Sequence, residues 1–248
     1  MTRNLHVAKA SPVHLASRSW LTSWVNEIKR GNPGLDWVDY VDEAPIKEQF
    51  VVPYEHMTYT PESQIRVRDA RWPTIALVVR STESYNKLLS NASLLLEGSR
   101  DEIQCVILLK VEPLKQDKAA IESGFVETHY YHQVRGRSVQ VGLREYIYPT
   151  PETGTNEPIQ LSWDVILGLD YKARGRIPKS HNPPALSLDG LRKRIDYRIE
   201  AYIDQEFRRT GRVRPERGIP VKSEDTREEE GKKSRWDNID DERLVSSG

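Results

Sequence analysis

The apolar positions of this chain fall into short runs and periodic stripes, and the stretch 71–112 orders them most clearly. A run of apolar residues at 74–79 is followed by an amphipathic segment at 83–97. Gly98-Ser99-Arg100-Asp101 breaks the pattern, and a second apolar run covers 103–111. The order strand, helix, turn, strand predicts a βαβ unit with a parallel strand pair. Tyr85, Leu88, Leu89, Ala92, Leu95 and Leu96 form the apolar face of the helix, and Ser84 or Thr82 caps its start. Glu83 and Lys87 stand four residues apart in the order that favours an ion pair.

Before this unit, Trp20, Trp24 and Ile28 recur every four residues and predict a helix over 15–29, stopped at Gly31-Asn32-Pro33-Gly34. Residues 37–41 read as strand or loop, while 49–52 and 65–67 read as short strands. After the unit, 125–134 and 138–148 suit two β-strands joined around Gly136, and 159–165 reads as a further short strand. Ser187 caps a helix over 188–209, whose stripe is Leu191, Ile195, Ile199, Ile203 and Phe207. From 213 onward the chain is dense in charge of both signs and poor in apolar residues, the composition of a disordered tail.

The predicted fold class is therefore α/β, with an α+β mixed sheet. The expected divisions are a flexible N-terminus (1–14), an α/β core (15–170), a linker (171–186), a terminal helix (187–211) and a charged tail (212–248).

Lysine and arginine total 37, and so do aspartate and glutamate. With no net field, a nucleic-acid partner needs a local basic patch. Arg192, Lys193, Arg194 and Arg198 on the terminal helix are the candidates, with phosphates as their natural contacts. The single cysteine, Cys105, rules out a disulfide within the chain and reads as a small buried hydrophobe. The histidines lack zinc-ligand spacing, and no dinucleotide, Walker or serine-hydrolase motif occurs. No nucleotide cofactor is expected. No apolar run reaches the ~20 residues of a membrane span, so no membrane partner is expected. These features fit an intracellular protein, cytoplasmic or nuclear. The early stretch, free of acids up to Glu27, weakly resembles a mitochondrial presequence.

The Pro61-Glu62 pair, the strand Thr74-Ile75-Ala76-Leu77-Val78-Val79-Arg80, the Glu83-Ser84-Tyr85 helix start and the strand ending Leu108-Leu109-Lys110 together resemble a group of uncharacterised fungal proteins. Those proteins look like distant members of the PD-(D/E)XK, restriction-endonuclease-like superfamily. The resemblance implies a restriction-endonuclease-like core. It also implies metal-assisted phosphodiester hydrolysis, in which two carboxylates hold Mg2+ and a lysine stabilises charge on phosphate.

Glu62 stands at the first acid and is the implied metal ligand. Arg80 stands at the lysine, and Lys87 is a helix-borne substitute. Val78 stands where the strand acid belongs, and Glu83 is the nearest replacement. A lone carboxylate is a poor Mg2+ site, so no cofactor is expected unless the enzyme is active. The leading expectation is a catalytically impaired nuclease-like domain that binds nucleic acid or a protein partner. The alternatives are a non-enzymatic interaction protein working through its terminal helix and tail, and an active Mg-dependent nuclease with migrated site residues.

Overall fold

The computed structural model describes residues 11–68, 70–81, 83–112, 121–152, 156–168, 171, 178 and 180–210. Helix α1 (Pro12–Gly31) opens the chain, with Ser11 accepting from the His14 N–H as N-cap. Three strands follow: β1 (Val38–Asp42), β2 (Ser63–Val67) and β3 (Ile75–Arg80). Helix α2 (Tyr85–Gly98) leads into β4 (Cys105–Val111), β5 (Gly124–His132) and β6 (Arg137–Tyr148). The short α3 (Trp163–Leu167) and the long α4 (Leu188–Thr210) close the described chain.

The six strands form one mixed sheet in the order β1-β2-β3-β4-β5-β6. Only β3 and β4 run parallel, joined by α2, which is the predicted βαβ unit. The fold is α+β. Both central strands are buried on both faces, so alternate residues enter different layers. Ile75, Leu77, Val79, Cys105, Ile107 and Leu109 pack with α1 and α4. Ala76, Val78, Val106 and Leu108 pack with Leu88, Ala92, Leu95 and Leu96 of α2.

Helix α4 is therefore part of the core, not a separate division after a linker. Leu191, Ile195 and Ile199 are buried in the cluster that holds Trp20, Trp24 and Ile28 of α1. The two indole N–H groups pin the approach to α4: Trp20 Nε1 donates to Ser187 O at 2.6 Å, and Trp24 Nε1 to Pro184 O at 2.7 Å. Ser187 caps α4 as expected, its Oγ accepting from the Gly190 N–H at 3.0 Å.

Two expected strands are absent. Residues 49–52 form a loop, in which Phe50 is driven into the α2 layer against Trp72. Residues 159–165 contribute a single bridge, Ile159 to Leu186, before α3 begins. Ser162 caps α3 and Gly168, at φ +79°, ends it. The expected tail (212–248), residues 172–177 and 179 of the expected linker and the first ten residues lie outside the described residues. No helix among the described residues is long and apolar enough to cross a membrane.

Gly98, the last residue of α2, is fixed by close approach. A Cβ there would stand 2.8 Å from Phe50 Cδ1 and 3.2 Å from Phe50 Cβ. Alanine is the better helix former by about 1 kcal/mol. Overpacking a dense core costs about 1–3 kcal/mol. Gly98→Ala should therefore lower stability in urea unfolding, against its helix propensity; a raised midpoint would show that Phe50 moves freely.

Candidate functional site

Glu62 lies one residue before β2, opposite Val78 by continuation of the Ser63–Leu77 register. That places Glu62, Val78 and Arg80 on the face covered by α2. Glu62 is buried, with 7% of its surface exposed. Its Oε2 accepts from the Val79 N–H at 2.9 Å, and its Oε1 is paired with Arg80 Nη1. Arg80 is itself clamped: Nε bonds Glu83 Oε2 at 3.0 Å, Nη2 the Tyr59 hydroxyl at 3.1 Å, and Nη1 the Val79 carbonyl at 2.7 Å. Burial pushes the Tyr59 hydroxyl up to about 12 although the Arg80 charge opposes this, so the phenol stays protonated. His14, at the start of α1, is pushed down by burial. The nearby charges of Arg80 and Arg18 lower it further, against the hydrogen bond at Val79.

The structure thus brings Glu62, Arg80 and Glu83 together and leaves Lys87 apart. Lys87 is exposed on α2, and Glu83 spends its carboxylate on Arg80 at the three-residue spacing instead of on Lys87. The expected Glu83–Lys87 pair is replaced because Arg80, mostly buried at its strand end, draws the carboxylate to itself. Val78 is fully buried among α2 side chains. Lys110, opposite Arg80 on β4, donates to Ser81 O at 3.1 Å and pairs with Glu112 at 3.5 Å.

This donor set does not fit Mg2+. Both oxygens of Glu62 already accept from the protein, and Val78 offers none. Among the described residues no group of three His, Cys, Asp or Glu side chains converges. A hard dication requires several anionic or carbonyl oxygens at ~2.0–2.1 Å.

A second buried carboxylate was missed in the sequence. Glu127 of β5 is 1% exposed. It accepts from Arg144 Nε at 2.7 Å and from the Tyr85 hydroxyl at 2.9 Å, and it bonds His129 Nε2 at 3.1 Å. The Arg144 guanidinium lies 4.1 Å from the Phe125 ring centre and 4.8 Å from that of Tyr85. Burial alone would raise the Glu127 carboxyl, but the His129, Arg144 and Tyr85 bonds overcome it and hold the group below its usual range. Alternation carried a signal: Glu127 shares strand parity with Phe125 and His129 in a run whose face packs inward.

Glu127 cannot join Glu62 at one ion. The row across the sheet runs Glu62, Val78, Leu108, Glu127, three strand spacings. At ~4.8 Å each, the two acids stand about 14 Å apart.

The expected basic face of α4 is only half present. Arg192 is 8% exposed and bonds Asp189 and Asn156, both at 3.0 Å. Arg194 bonds Gly190 O and Ser23 Oγ, both at 3.0 Å. Both flank the buried stripe, so their stems fold onto the protein. Lys193 and Arg198 face solvent.

No family model, curated protein or solved structure matches this chain.

Two measurements test these clusters. Arg80→Ala strands the buried Glu62 carboxylate and should cost about 3–5 kcal/mol in urea unfolding. Lys87→Ala, at an exposed site, should change stability by less than about 0.5 kcal/mol. Equal effects would contradict the placement. Glu127 titrates below its unfolded value of 4.5, so its contribution is complete above that value. It is lost as pH falls from 4.5 through the lowered folded value. Glu127→Gln should flatten the stability-versus-pH curve in that acid window, and an unchanged slope would contradict the assignment.

Proposed function

We propose that this chain is a restriction-endonuclease-like domain of the PD-(D/E)XK type whose catalytic site is impaired, and that it acts by binding, to nucleic acid or to a protein partner, without cutting. The parallel β3–β4 pair with its α2 crossover supports the fold reading. So do Glu62 at the entrance to β2 and Lys110 near the end of β4.

One observation carries the loss of catalysis. Where the resemblance calls for a strand carboxylate, Val78 sits in a dry apolar layer, and Arg80 has taken the remaining acid, Glu62. An arginine locked to two carboxylates and a half-buried tyrosine has given its charge to the protein. It is not poised to stabilise a developing phosphate charge. The reading with migrated site residues draws no support from this geometry, because Glu83 is held by the same arginine and Lys87 points to water.

The test is a pair of assays on the full chain. Labelled duplex incubated with Mg2+ or Mn2+ should remain uncut by wild type and by Glu62→Ala alike. Fluorescence anisotropy with single- and double-stranded oligonucleotides should report binding that weakens steeply with salt. Metal-dependent cleavage by wild type that Glu62→Ala abolishes would overturn the impaired-site reading. Absence of any salt-sensitive binding would remove nucleic acid as the partner.

A further inference from the structure

The turn from α2 into β4 is built against backbone preference. The Arg100 N–H donates to Glu97 O at 3.2 Å and the Asp101 N–H to Leu96 O at 3.4 Å. That pair of bonds closes a helix when a left-handed residue follows the C-cap, here Ser99, and glycine is the usual occupant. Arg100 holds the position instead, at φ +51°, and Asp101 follows at φ +69°. Two consecutive side-chain-bearing residues in the left-handed region are strained, and strain of this kind points to a use for the side chains.

Both residues line a cavity of about 250 Å³ beside Thr74 and Gln104, which precede β3 and β4. Arg80 ends β3, so the cavity lies at the opposite end of the parallel pair from the Glu62 cluster. Drug-sized ligands occupy about 300–1,000 Å³, so this space suits a smaller molecule. Its charged groups are one cation, Arg100, and two carboxylates, Asp101 and Glu102. Unlike the Glu62 and Glu127 sets, they are not spent on one another. Arg100 and Glu102 have no side-chain partner among the described residues. Asp101 Oδ2 accepts from Gln133 Nε2 at 2.8 Å, a neutral donor that fixes the carboxylate and leaves its charge uncompensated. The indoles of Trp20, Trp24, Trp37 and Trp163 each donate to a backbone carbonyl. Trp72, which lines the cavity, donates its indole N–H to no described residue. Gln104 Nε2 is spent on the Asp101 carbonyl, which leaves Oε1 as an acceptor. Val67, Ala70 and Leu167 supply an apolar wall.

We propose that this cavity binds a small zwitterion, a free α-amino acid with an apolar side chain. The unspent groups select for both charges. A lone anion drawn to Arg100 meets two carboxylates, and a lone cation drawn to those carboxylates meets Arg100; like charges brought together are costly. A zwitterion satisfies both sets. Its carboxylate goes to the Arg100 guanidinium, whose fork suits two-point contact, and to the Trp72 N–H. Its ammonium goes to Glu102, Asp101 Oδ1 and Gln104 Oε1. Its side chain lies on Val67, Ala70 and Leu167. The site stands apart from the Glu62 cluster, so it does not depend on the nuclease-like reading.

The test is titration calorimetry on the full chain with L-leucine, L-methionine and L-phenylalanine. At least one should bind with a Kd at or below about 1 mM. Two truncated forms of leucine check the zwitterion: 3-methylbutan-1-amine lacks the carboxylate, and 4-methylpentanoate lacks the ammonium. Each should bind at least about tenfold more weakly than leucine, because each leaves part of the charged lining unpaired. Arg100→Gly separates binding from folding. Glycine relieves the left-handed position, so the thermal midpoint without ligand should rise by a few degrees while amino-acid binding is lost. Glu102→Gln should weaken binding about tenfold with the midpoint unchanged. No binding by any of the three amino acids overturns the proposal. So does equal binding of leucine and either truncated form, or Arg100→Gly that has a lowered midpoint or binds as wild type does.

Discussion

Strands β3 and β4 are buried on both faces, and each must divide its side chains between two helical layers. Odd positions of β3 belong to α1 and α4, even positions to α2. The consequence for chemistry is direct. Val78 is an even position in mid-strand, so any side chain there meets Leu88, Ala92 and Leu95 rather than water. An unpaired carboxylate in that layer would carry a desolvation cost. Arg80 shares the same parity but stands at the strand end, where Glu62, Glu83 and Tyr59 can surround it. Fold and site are one constraint: the layer that makes the βαβ unit stable also buries position 78.

The polar groups that the α2 face retains are arranged as closed sets. Arg80 closes with Glu62, Glu83 and Tyr59. Glu127 closes with Arg144, Tyr85 and His129. Lys110 closes with Ser81 and Glu112. Paired and hydrogen-bonded in this way, buried charges are tolerable, but removing one member exposes the full desolvation penalty of the rest. Tyr85 and Arg144 also link three elements, α2, β5 and β6, so the Glu127 set orients the start of the crossover helix relative to the hairpin. These sets read as architecture, and this separates the domain from a site whose carboxylates face an open metal position.

Much of the fold was legible because several signals agreed. The apolar runs of β3 and β4, the Ser84 cap and the Leu-rich face of α2 all pointed to one βαβ unit. The stripe of α4 and its Ser187 cap were equally plain, yet its place against α1 was not, since no local pattern says which stripes meet. Residues 49–52 misled because an apolar loop residue can be buried by its own bend: Phe50 fills the space that Gly98 leaves. Residues 159–165 misled because β-like residues there surround Ser162, which caps a helix. Of the site, parity placed Arg80 and Val78 on one face. It could not reveal that Arg80 would turn back onto Glu62. The Glu127–Arg144 bond depends on the register break at Gly142, which the linear pattern does not encode.

The central claim is that the Glu62 carboxylate is taken by Arg80 and the Val79 amide, and so does not hold a divalent ion. The most direct measurement is anomalous diffraction from a crystal of the full chain soaked in Mn2+. The account predicts no manganese peak beside Glu62 and a guanidinium in contact with its Oε1. A peak within ~2.0–2.6 Å of a Glu62 oxygen, with Arg80 swung away, would contradict it.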